Sequence, residues 1–92
     1  MPPNYEDAAR LLQVLVGKGI TIERGVNPHD VILLLADQCF SAAQARRKDT
    51  HAERALGALG DLEKRRFVRL DAKRRQKLIA LVGTVIANHK AA

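Results

Sequence analysis

The densest chemistry in this 92-residue sequence is cationic. Lys64, Arg65, Arg66, Arg69, Lys73, Arg74, Arg75 and Lys77 put eight positive side chains into fourteen residues. Arginine predominates, and its planar fork suits phosphate or carboxylate contacts better than a lysine ammonium does. The charge is also uneven along the chain: residues 1–45 sum to −2 and residues 46–92 to +8, for a net +6. Such asymmetry points to an anionic partner, with nucleic acid first and an acidic protein surface second. The plain alternative is a solvated face that keeps the protein soluble.

The company these cations keep limits what they can read. Aromatic residues are 3% of the chain and only Phe67 lies inside the basic run, so binding of single strands by base stacking has little to rest on. Only Gln76 stands beside the arginines as a reader of base edges. A nucleic-acid contact here is expected to go mainly to backbone. Engaging roughly five phosphates would make it steeply salt-dependent.

Catalysis has fewer candidates. His29 and His51 fall in expected first turns, and His89 falls near the end of the last helix. The lone Cys39 sits beside Phe40 on an apolar helix stripe, where cysteine behaves as a small buried hydrophobe rather than a nucleophile. Metal binding needs ligands three or four residues apart on a helix, or close in a loop, yet the nearest histidines are 22 apart. Gly17-Lys18-Gly19 follows a helix rather than a strand and lacks the rest of a phosphate loop. Glu6, Asp7, Asp61 and Glu63 each have a local use as a helix-end or ion-pair residue. The expectation is a protein that is not an enzyme, with no metal and no cofactor.

Length and composition set the frame for these elements. Ninety-two residues give one domain, and 47% hydrophobic with 28% charged residues excludes disorder and low-complexity classes. A single cysteine excludes an intrachain disulfide framework. No apolar run approaches the roughly 18 residues of a membrane span, and Met1-Pro2-Pro3-Asn4-Tyr5-Glu6 lacks a basic leader. The reading is of a soluble, cytoplasmic protein without membrane contact.

The elements that carry the cations read as helices. Asn4 as N-cap with acidic Asp7, and Pro2 and Pro3 upstream, starts a first helix over about residues 5–17. Tyr5, Ala8, Leu12 and Leu15 recur along it at helical spacing, and Gly17 and Gly19 can end it. Ile20-Thr21-Ile22 has strand preference, but without a partner strand it reads as an extended connection over residues 18–26 with both isoleucines tucked inward. Asn27-Pro28-His29-Asp30 is a strong helix start, and Val31 to Ala36 is apolar on all sides, as in a central helix. That second helix is expected over 28–48, turning polar through Gln44, Arg46, Arg47 and Lys48.

Thr50-His51-Ala52-Glu53 matches a capping box and opens a third helix over 51–66. Gly57 and Gly60 within it either weaken it by roughly 1 kcal/mol each or mark close packing. Asp71 caps a last helix over 72–89, with Leu78, Leu81, Val82, Val85, Ile86 and His89 on its stripe and Lys73, Arg74 and Lys77 opposite. The fold class is therefore all-α: a compact bundle of about four helices with short connections.

The passage from Leu59 through Phe67-Val68-Arg69-Leu70 to Arg75 is similar to the helix-into-wing passage of winged-helix repressors. That similarity implies a short strand at Phe67–Leu70. A wing also needs a second strand, whereas Leu78 onward has helical periodicity, so a fourth helix is expected in its place.

These residues imply a small basic helical protein, a regulator or accessory factor associated with nucleic acid through the 64–77 segment. The alternative is a protein-interaction module that uses the basic face, or the apolar helix 28–48, against a protein partner. Val31 to Leu35 is more apolar surface than three neighbouring helices of so short a chain readily cover, which suggests a homodimer.

Overall fold

The computed structural model describes residues 4–89. The start signals at the second and third helices act as their chemistry dictates. Asn27 accepts from the His29 N–H at 3.0 Å, Pro28 takes the first helical position, and α2 runs Pro28–Phe40. Thr50 Oγ1 accepts from the Glu53 N–H at 3.1 Å while the Glu53 carboxylate reaches back to Thr50, opening α4, His51–Lys64. With α1 (Tyr5–Lys18) and α5 (Arg75–Asn88), these make four long helices, and the fold is a small all-α bundle.

One core joins them. Leu15 from α1, Val31 and Leu35 from α2, Leu59 and Leu62 from α4, and Leu78 and Val82 from α5 are all buried. The helix ends locate the chain directions. Asn4, before α1, donates its side-chain amide to the carbonyl of Phe40 at the end of α2. His89, after α5, packs its ring 4.6 Å from that of Phe40. At the other end, Arg75 at the start of α5 bonds Glu63 at the end of α4. The helices therefore run up, down, up and down, with the ends of α1 and α4 and the starts of α2 and α5 at one end of the bundle.

That end carries the main departure from the sequence-based expectation. Ile20–Ile22 does have a partner strand: β1 (Ile20–Ile22) pairs antiparallel with β2 (Val68–Leu70), Ile20 opposite Leu70 and Ile22 opposite Val68. Phe67 O accepts from the Glu23 N–H and Gly19 O from the Asp71 N–H, closing the ribbon at both ends. Ile20 and Val68 are buried, so the ribbon caps the core and is held by packing rather than by its few ladder bonds. Phe67–Leu70, ambiguous in its own sequence, supplies the strand Val68–Leu70, and the chain beyond it is helical.

Other boundaries move for local reasons. The second helix does not reach Lys48. Ser41 is extended (φ −79°, ψ 154°) and caps the separate turn α3, Ala42–Ala45, by accepting from the Gln44 N–H. Arg46, Arg47 and Lys48 thus lie beyond α2 and complement no dipole of its own. Asn4 does not cap α1 through its side chain, which is spent on Phe40; its backbone is left-handed at φ 72°. Pro2 and Pro3 lie outside the described residues. The third helix ends at Lys64 rather than residue 66, and Ala72–Arg74 is a 3-10 turn before α5, whose cap His89 is extended. Gly57 and Gly60 meet nothing within 4 Å, so close packing does not explain them; the near approach is at Gly83, where a Cβ would lie 3.6 Å from the His51 backbone.

Candidate nucleic-acid interface

The backbone first aims the cations at the end of α4. Arg65 is the C-cap, and Arg66 comes next in the left-handed region at φ 58°. The Arg66 N–H bonds Glu63 O at 2.9 Å and the Phe67 N–H bonds Leu62 O at 3.0 Å. These are the two bonds of a Schellman motif, whose left-handed position is usually glycine. An arginine there accepts a steric cost of about 1–2 kcal/mol. Lys64, Arg65 and Arg66 are exposed as the chain turns into β2.

Carboxylates then divide the eight residues. Arg75 donates from one terminal nitrogen to both Glu63 oxygens, at 2.7 and 2.8 Å. Arg69 Nε lies 2.6 Å from Glu23 Oε1, and Arg74 Nε lies 3.7 Å from Asp71 Oδ2. Among the described residues Lys64, Arg65, Arg66, Lys73 and Lys77 form no ion pair. Arg65 shares a cleft with Asp30 and Asp37 of α2 and with Phe67, without pairing to either acid. Because Glu63 ties the end of α4 to the start of α5, the two groups of cations stand at the same end of the bundle, on either side of β2.

Helix dipoles account for some of them. Lys64 lies in the last turn of α4 and Lys18 in that of α1, where a cation is favoured by about 0.3–1 kcal/mol. The start of α5 is the opposite case. Lys73, Arg74, Arg75 and Lys77 crowd a positive helix end whose first turn has no acid. Asp71 caps only the 3-10 turn, accepting from the Lys73 N–H at 3.0 Å. Lys73 belongs to that turn, so it does not share an α-helical face with Lys77.

Lys18 is a further cation at this end, one that spacing along the chain does not single out. It comes from the end of α1, yet it lines one cleft with Arg74 and Lys77. Its only signal in the sequence is a glycine on either side in a helix-ending turn. The pairing of β1 with β2 is what brings that turn beside residue 74.

Other reactive groups are buried or paired within the fold. Cys39 is 2% exposed, and burial pushes its thiol up to about 12 despite the opposing charge of Arg54. It is a protonated core residue at neutral pH. His29 shares a hydrogen bond of 2.9 Å with the Tyr5 hydroxyl, and His89 lies 3.8 Å from Asp7. Glu6 and Asp7 pair with Arg10. Among the described residues no three His, Cys, Asp or Glu side chains gather as metal ligands, and no helix is long and apolar enough to cross a membrane.

Fold and surface together define a small all-α protein with a cationic end built around a two-stranded ribbon. No family model matches the chain, and neither curated proteins nor solved structures give a match.

Proposed function

We propose that the protein is a non-enzymatic, nucleic-acid-associated regulator or accessory factor that holds phosphate backbone at its ribbon end. The observation that carries this reading is the start of α5. Lys73, Arg74, Arg75 and Lys77 stand at the positive end of a helix without an acid in its first turn. Glu63 answers Arg75 and Asp71 lies 3.7 Å from Arg74, which leaves Lys73 and Lys77 without an ion pair among the described residues, at a position that disfavours a cation in the free protein. An anionic partner removes that cost, and phosphate supplies both the charge and acceptors for the arginine forks. The scarcity of aromatic and base-reading side chains makes the contact weakly sequence-specific.

Titration into labelled random-sequence duplex DNA and RNA, at about 50 and 200 mM salt, tests the reading. Wild type is expected to lose orders of magnitude in affinity across that range. The variant with Lys64, Arg65, Arg66, Lys73 and Lys77 all changed to Gln is expected not to bind. An absence of wild-type binding at the lower salt overturns the proposal.

A protein partner is the second reading, and one observation favours it. Ile32, Leu33 and Leu34 on α2 are only half-buried, with Asp30 and Asp37 on the same helix. A second copy of the chain covering that face would form a homodimer and duplicate the cationic end. Sedimentation equilibrium of wild type and Leu33→Glu separates dimer from monomer.

A further inference from the structure

We propose that Lys18, Arg74 and Lys77 form a binding site for one phosphate group, which rests on the nucleic-acid reading for the source of that phosphate. The three side chains line a cleft of about 410 Å³ walled by Leu78 and Leu81. They come from three places: the last residue of α1, the end of the 3-10 turn and the first turn of α5. The Asp71 N–H joins these segments through a 3.0 Å bond to Gly19 O. Gly19, at φ 124°, leaves room for the arginine: a Cβ there would lie 3.1 Å from Arg74 Cδ.

The charges in this cleft are poorly answered within the protein. Lys18 and Lys77 form no ion pair among the described residues, and Arg74 reaches Asp71 only at 3.7 Å. Three cations meeting from different elements favour a tetrahedral anion, which offers oxygens in several directions, over a planar carboxylate. Lys18, Arg74 and Lys77 are exposed around the buried Leu78, so their charges face solvent and are open to an incoming anion. Lys18 therefore joins the interface although it lies far from the basic run in sequence.

Two titrations test the site on the full chain. The first measures duplex affinity against salt for wild type, Lys18→Gln, Lys77→Gln and Lys48→Gln; Lys48 precedes the opposite end of α4. Because the three cations share one phosphate, the first two variants are each expected to reduce the salt slope by a fraction of the roughly 1 that a lost phosphate contact is worth, and Lys48→Gln to leave it unchanged. A slope unchanged in Lys18→Gln, or reduced equally in Lys48→Gln, overturns the proposal. The second titration tracks the amides of Lys18, Gly19, Lys73 and Lys77 by NMR as inorganic pyrophosphate is added. If wild type binds no duplex, the nucleic-acid function falls and this second titration decides the cleft. Saturable shifts at those amides, lost in Lys18→Gln, sustain a phosphate site; none overturns it.

Discussion

Arg75 donates a single guanidinium nitrogen to both carboxylate oxygens of Glu63, at 2.7 and 2.8 Å, fastening the end of α4 to the start of α5. The pair spans the turn that contains β2, so it fixes how the two groups of cations sit relative to each other. It also removes one arginine from the set available to a partner. On the proposed nucleic-acid reading, structure and recognition pull on Glu63 in opposite directions.

Glu63→Gln separates these roles. With side-chain exposures of 37% for Arg75 and 31% for Glu63, the pair is partly screened, and its loss is expected to cost about 1 kcal/mol in urea unfolding. The freed arginine and the lost negative charge should tighten duplex binding at low salt. A variant that is both less stable and weaker in binding contradicts this assignment.

Arg66→Gly addresses the left-handed position after α4. Glycine occupies φ 58° without the steric cost borne by arginine, so the variant is expected to be more stable by about 0.5–1 kcal/mol. Duplex affinity should fall, because a cation with no ion pair among the described residues is gone. Gly19→Ala is the converse case. At φ 124° and with Arg74 Cδ in the way, it should lower the thermal midpoint. Equal midpoints for Arg66→Gly and wild type would show that the backbone bears no strain there.

Cys39 gives a pH dependence with a definite sign. Burial raises its folded-state pKa from the ordinary 9.0 to about 12, so above pH 9 the unfolded chain loses a proton that the folded protein retains. This contribution to stability is full below about pH 9 and declines toward pH 12, by at most about 1.4 kcal/mol per pH unit. Unfolding curves for wild type and Cys39→Ala should therefore converge as the pH is raised. Iodoacetamide should label the native thiol far more slowly than the unfolded one. Parallel pH profiles, or equal labelling rates, would refute the buried-thiol account.

Sequence alone settled two of the helix starts, where the bonds join near neighbours; it misassigned Asn4, whose side chain goes to Phe40, and missed the Ser41 cap on Gln44. Asn27 reaches an N–H two residues on, and Thr50 and Glu53 bond each other within one turn, so both helix starts were legible without the fold. The spacing of Leu12 and Leu15, or of Leu78 and Val82, likewise set which faces turn inward. Only the tertiary structure decided that Ile20–Ile22 is a strand, because its partner Val68–Leu70 comes from the other half of the chain. It ended α2 at Phe40, where the backbone turns extended at Ser41 and starts a new capped turn. It also decided which cations stay unpaired and brought Lys18 beside Arg74. An ion pair depends on distance in space, and the approach of Glu23 to Arg69 comes from pairing two strands that spacing along the chain does not reveal.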